Sequence, residues 1–263
     1  MSLAAPPDDW PSRRIVITAG AAGIGRAMVN AFHALGARVF VCDIDASRVA
    51  ELSAALPLAG VRQCDVSVPD EVDAFIDAAA GAMGGIDILI NNAGIAGPAA
   101  AVEDITTEDW NRTFAVNVSG QFYCARRAVP WLKKAGGGVI INMSSVAGKF
   151  GFPLRSPYAA SKWAVIGFTK SLSIELGPSN IRVNTILPSI VTGERNRQVF
   201  GARAKAKGIS YEEMSRQAVE RVSLRTMIDP EEVADLAVFL CSRHGRAMTG
   251  GAYDICGGTE SIV

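Results

Sequence analysis

Short runs of β-branched and aliphatic residues alternate with amphipathic helical stretches along most of this chain, and that alternation most narrows what it can fold into. The runs Arg14 to Thr18, Arg38 to Cys42 and Val61 to Cys64 are separated by helices that start at Gly23 and Ser47, a βαβαβ half. The pattern resumes with a helix from Asp70, the run Ile86 to Ile90, a helix from Glu108 and the apolar run Val139 to Met143. A helix from Tyr158 through Leu176, a strand over Ile181 to Leu187, a helix from Pro230 through Leu240 and a strand over Ala252 to Ile255 complete it. The expected fold is α/β, a doubly wound sheet of about seven parallel strands with helices on both faces.

At 263 residues the chain suits one domain, expected over 13–263. Residues 1–12, with three prolines and two aspartates, read as a flexible N-terminal tail without a basic or apolar leader pattern. Residues 193–226 are polar and basic, with helical patterns but no strand, and read as a lid inserted above a substrate site. The 26 basic and 26 acidic residues cancel, so no sequence-wide field favours nucleic acid or an anionic membrane. No apolar stretch approaches the roughly 18 residues of a membrane span. A soluble, cytoplasmic protein is expected. Five cysteines without CxxC spacing read as buried, reduced thiols, and two histidines outside any Cys/carboxylate cluster give no metal site and no serine triad.

Directly after the first strand, Thr18-Ala19-Gly20-Ala21-Ala22-Gly23-Ile24-Gly25 opens a helix. Glycines there let backbone amides and the positive end of the helix approach a pyrophosphate, which places Gly20, Gly23, Ile24 and Gly25 against a dinucleotide. Asp43, eighteen residues beyond Gly25 at the end of the second strand, is in reach of the adenosine ribose hydroxyls, with Ile44 beside it. A carboxylate there repels a 2′-phosphate, so NAD is expected over NADP. The alternative is that Asp43 caps the following helix.

With Cys64-Asp65-Val66, Asn91-Asn92-Ala93-Gly94 and Tyr158-Ala159-Ala160-Ser161-Lys162 following in that order, the chain resembles the short-chain dehydrogenase/reductase family over nearly its whole length. The resemblance implies a Rossmann-type sheet and an adenine contact from Asp65 and the Val66 backbone. It also implies that Asn91, Ala93 and Gly94 line the adenosine side and hold the central strand. Two positions depart from the family pattern: Ala19 stands at its first glycine, and Pro188-Ser189 replaces Pro-Gly after the sixth strand.

A free phenol ionises near pH 10, so it serves as a base only beside positive charge, and Lys162, one helical turn after Tyr158, lies on the same helix face. The resemblance assigns Tyr158 as acid/base, Lys162 as its partner and ribose ligand, and Ser145 as donor to the developing oxyanion. Alternation along the extended chain prefers Ser145 over Ser144. It assigns Asn117 to a helix bulge and a water path from Lys162, and Pro188, Ile190 and Thr192 to the nicotinamide side. The expected reaction interconverts a secondary alcohol and a ketone: NAD binds first, Tyr158 takes the hydroxyl proton, hydride passes to nicotinamide, and the proton leaves through Lys162 and water.

Arg155, with Arg195, Arg197, Arg203, Lys205 and Lys207 of the lid segment, could hold a small polyhydroxylated, sugar-type or hydroxy-acid substrate, although a solvated helix face explains the lid cations as well. A 3-oxoacyl thioester reductase is the alternative within enzymes, and a catalytically silent dinucleotide-binding protein the alternative outside them. The resemblance further implies a homotetramer. The end of the chain from Gly257 either reaches a neighbouring active site or frays.

Overall fold

A computed structural model describes residues 8–259, with the side chains of residues 195, 202, 203 and 206 outside the description. Seven strands form one sheet: β1 (Arg14–Thr18), β2 (Arg38–Asp43), β3 (Gly60–Gln63), β4 (Ile88–Asn91), β5 (Gly138–Met143), β6 (Ile181–Pro188) and β7 (Ala252–Ile255). The order is β3-β2-β1-β4-β5-β6-β7 and every pairing is parallel. Alternate residues of the central strands face opposite layers, which is why the strands read as near-continuous apolar runs. Ile15, Ile17, Ile88, Ile90 and Ile141 enter one core with α1 (Gly23–Ala34), α2 (Ala46–Ala55) and α9 (Pro230–Cys241). Val16, Leu89 and Ile140 enter the other, against α3 (Pro69–Met83), α5 (Gly120–Lys134) and α6 (Ser156–Leu176).

Chain direction around the sheet reverses between β1 and β4, so a crevice opens beyond their C-terminal ends, where doubly wound sheets bind ligands. The helix expected from Glu108 begins as α4 (Thr107–Phe114), passes through a π turn at Ala115–Ser119 and continues as α5.

The 193–226 segment holds α7 (Glu194–Lys207) and α8 (Tyr211–Val219), closed around Phe200, Ala204 and Met214 in a small core of their own. Arg197, Lys205 and Lys207 are exposed, as a solvated face requires, whereas the side chains of Arg195 and Arg203 lie outside the described residues.

The flexible-tail reading of residues 1–12 gives way at its C-terminal end. Trp10 packs on Phe32, with ring centroids 5.6 Å apart, and the Asp8 carboxylate accepts from the Arg243 amide at 2.8 Å. Residues 1–7 lie outside the described residues. At the other end, the Gly257 and Gly258 carbonyls accept from the amides of Leu224 and Ser223, so the chain is paired rather than frayed through Thr259. Residues 260–263 lie outside the described residues.

Among the described residues no helix is long and apolar enough to cross a membrane, and no cluster of three or more His, Cys, Asp or Glu could hold a metal ion. Cys42, Cys64, Cys124 and Cys241 are free and buried, and Cys256 is free and half-buried.

Candidate active site

The turn after β1 approaches its neighbours so closely that side chains are excluded from it. A Cβ on Gly20 would meet Val41 Cγ1 at 2.5 Å, and one on Gly25 would collide with the Ala19 carbonyl and Asn92. Ala19 itself is left-handed, with φ 50°, the backbone that glycine adopts without strain. Asn92 braces it by donating from Nδ2 to the carbonyls of Thr18 (3.1 Å) and Ala19 (2.9 Å). Gly23, at φ 52°, opens α1, and Ile24 packs against the core behind it.

Asp43 ends β2 almost buried, with Oδ2 accepting from the Ala21 amide (3.1 Å) and Oδ1 from the Asp45 amide (3.2 Å). The cap of α2 is Asp45, whose Oδ1 accepts from the amides of Ser47 and Arg48, so the capping alternative for Asp43 is set aside. Ile44, beside it, is 54% exposed, an apolar side chain at the mouth of the crevice.

Asp65 follows β3 and is held by the Ser67 amide and hydroxyl and by Arg112, 3.0 Å away. Burial disfavours its charged form, but these Ser67 and Arg112 hydrogen bonds outweigh burial and keep the carboxyl below its ordinary range. Val66 is buried against Gly120.

Asn91, at the end of β4, turns its amide inward and donates to Asn142 Oδ1 at 2.9 Å, so its side chain ties the central strands together. Ala93 is buried, and its amide donates to Thr18 Oγ1 at 3.0 Å. Gly94 lies where a Cβ would come within 3.3 Å of both Asn117 Oδ1 and Lys162 Nζ.

The reacting groups converge from three elements. Lys162 is buried on α6 with Nζ donating to the Met143 carbonyl (2.9 Å) and 5.6 Å from the Tyr158 ring centroid. Ser145, just beyond β5, donates to the Pro188 carbonyl (3.3 Å) and accepts from the Ala147 amide, whereas Ser144 donates into the protein to the Lys162 carbonyl at 2.7 Å. Asn117 is the central residue of the π turn, fully buried, with Oδ1 accepting from the Ile95 amide (2.7 Å) and Nδ2 donating to Ser161 Oγ (3.0 Å).

Phe152 meets the Tyr158 ring edge-on, and the Arg155 guanidinium lies 5.9 Å from the Tyr158 centroid. Past Pro188, Ser189 is tied to the carbonyls of Ile255 and Cys256. The Ile190 carbonyl and Thr192 amide pair with Ile228, and the Thr192 hydroxyl donates to Asp229 Oδ1 (2.8 Å). That last partner, like Gln121 behind the π turn, has no local sequence signal: it comes from a distant element.

Known proteins resemble this chain in sequence and fold. A family profile described as enoyl-(acyl carrier protein) reductase matches residues 19–260. Galactitol 2-dehydrogenase from Agrobacterium fabrum is 36% identical over 245 residues, 92% of this chain and 95% of that protein. D-threitol dehydrogenase from Mycolicibacterium smegmatis is 35% identical over 250 residues, 92% of this chain and 91% of that protein. Among solved structures, NAD+-bound xylitol dehydrogenase superimposes with a TM-score of 0.91 at 26% identity, covering 95% of this chain and all of that one. With the profile spanning almost its whole length and relatives above the identity at which a family is shared, the chain belongs to the short-chain dehydrogenase/reductase family.

Proposed function

We propose that this chain is an NAD-dependent dehydrogenase that oxidises a secondary hydroxyl of a polyol or sugar-type substrate to the ketone, with Tyr158 as acid/base. The carrying observation is the convergence of Tyr158, Lys162 and Ser145 beside a crevice whose other end holds Asp43. The chain's residues fit a dinucleotide: Gly20 and Gly25 sit where a Cβ has no room, and Asp43 is fixed at the end of β2 by the turn it faces. Gly20, Gly23, Ile24 and Gly25 would hold the pyrophosphate, Asp43 and Ile44 the adenosine ribose, and Asp65, Val66, Asn91, Ala93 and Gly94 the adenine side. Pro188, Ile190 and Thr192 would flank the nicotinamide.

When bound, oxidised nicotinamide supplies the hydride acceptor. Tyr158 takes the hydroxyl proton, Lys162 holds positive charge beside the phenolate and donates to the ribose, and Ser145 donates to the substrate oxygen. Asn117 fixes the π turn through which Lys162 communicates with solvent. Arg155 places positive charge 5.9 Å from the Tyr158 ring centroid, which suits an oxygen-rich or acidic substrate. The α7–α8 segment serves as the lid.

Relatives named for galactitol, D-threitol and xylitol support the polyol class, and Asp43 opposes the NADPH that a 3-oxoacyl thioester reductase usually takes. The exposed aromatic side chains Trp110, Phe122 and Trp163 on α4, α5 and α6 suit subunit contacts of a homotetramer, and five free cysteines suit a reducing cytoplasm.

The test is Tyr158→Phe assayed with NAD against galactitol, D-threitol and xylitol. Loss of about a thousandfold in kcat with NADH binding intact is expected. Near-native turnover by the variant would overturn the assignment.

A further inference from the structure

We propose that Gln121 is a positioning residue for this reaction, holding the Lys162 ammonium and the Tyr158 turn of α6 through two hydrogen-bond chains that start from one side-chain amide. The proposal rests on the dehydrogenase reading above, but no motif of the sequence marks Gln121.

Gln121 lies in the first turn of α5 and is 2% exposed. Its Nε2 donates to the Asn117 carbonyl at 3.0 Å and to the Met143 carbonyl at 3.3 Å. Both partners are carbonyls, so only the NH2 end of the amide can face them, and its two N–H groups are matched one to each.

The Met143 carbonyl is the one that also accepts from Lys162 Nζ, at 2.9 Å. It is the last residue of β5, two before Ser145, and Gln121 fixes where that acceptor stands. The ammonium is buried with it, so this oxygen is one of the groups that fix its position beside the Tyr158 ring.

The other chain runs through the π turn. Asn117 Nδ2 donates to Ser161 Oγ at 3.0 Å, and Ser161 Oγ donates to the Tyr158 carbonyl at 2.7 Å. A π turn inside a helix is an uncommon backbone. Here its central carbonyl takes a side-chain donor from the residue four positions on, which holds Asn117 in the register that reaches Ser161. One chain therefore ends at the Lys162 ammonium and the other at the Tyr158 backbone carbonyl, and removing the amide loosens both.

Gln121→Met keeps the length of the side chain and removes both donors. The expected result is a fall in kcat of about tenfold or more on whichever of galactitol, D-threitol or xylitol the native enzyme turns over fastest, because displacement of reacting groups by fractions of an ångström is costly. KM for the polyol and the dissociation constant for NADH, read by fluorescence, should stay within about twofold, since the loss falls on the transition state.

Gln121→Glu, which when protonated in that buried place keeps one O–H donor, should fall between the two. Native kcat in Gln121→Met, or a loss confined to KM or thermal stability, would overturn the proposal. If Gln121→Met does not fold, Gln121→Glu decides alone: a several-fold fall in kcat at native NADH affinity supports the proposal and an undiminished kcat overturns it. Failure of the underlying reading is a separate result, visible as retained turnover in Tyr158→Phe.

Discussion

Asp43 accepts a hydrogen bond from the Ala21 amide at 3.1 Å, so the acid at the end of β2 and the glycine turn after β1 are one unit. The carboxylate proposed to set cofactor preference also holds the turn proposed to receive the pyrophosphate. Asp43→Asn keeps an acceptor for Ala21 and removes the charge. Thermal-shift titrations with the four cofactor forms should show NAD(H) affinity falling about tenfold and the preference over NADP(H) narrowing by at least as much, because like-charge juxtaposition costs several kcal/mol. Unchanged discrimination would show that something other than the Asp43 charge excludes the 2′-phosphate.

The two adjacent serines should separate cleanly. Ser144 spends its hydroxyl on the Lys162 carbonyl, so Ser144→Ala should cost about 1 kcal/mol of stability in urea unfolding and leave the first-order rate near native. Ser145→Ala, which gives up its bonds to Pro188 and Ala147, should cost a similar amount of stability but lower kcat by about 100- to 1000-fold, the loss expected of an oxyanion donor. Reversal of the two phenotypes would transfer the catalytic role to Ser144.

Ala19 carries left-handed backbone at φ 50°, a conformation that glycine adopts without strain. Ala19→Gly should therefore stabilise the fold, by about 1 kcal/mol after the greater freedom of glycine in the unfolded chain is set against the relieved strain. Equilibrium denaturation checks the sign, and a destabilised variant would mean that the Asn92 bonds to the Thr18 and Ala19 carbonyls already offset the strain.

Burial pushes the Cys241 thiol from 9.0 up to about 12, with Arg182 and Arg13 only partly opposing it. The folded protein holds this proton more tightly than the unfolded chain does. The resulting stability is present in full below about pH 9 and is lost as the pH climbs towards about 12, at about 1.4 kcal/mol per pH unit while only the unfolded thiol ionises. Cys241→Ala should show a shallower alkaline decline in urea midpoint than the native protein. In the native fold a disulfide reagent should react promptly with Cys256 alone among the five thiols.

The seven parallel strands, the glycine turn, Asp43 and the Tyr158 to Lys162 spacing were legible in the sequence, because each rests on local periodicity or on residues within one turn or one strand end. The preference for Ser145 over Ser144 came from the family resemblance, with the alternation of an extended chain putting Ser144 on the opposite side. What lay beyond reach was everything set by meetings of distant segments. Trp10 finds Phe32, Thr192 finds Asp229, and Asp65 finds Arg112 only after the sheet has assembled.

Gln121 is the sharpest instance. Its position four residues past Asn117 suggests an ordinary helical glutamine, and its partners Asn117 and Met143 are backbone carbonyls, which leave no trace in residue identity. Sequence by itself determined which elements form and which chemical groups the strand ends carry, since those follow from hydrophobic period and residue type. Only the tertiary structure decided how these groups are held, because a buried donor or acceptor must find its partner wherever packing delivers one.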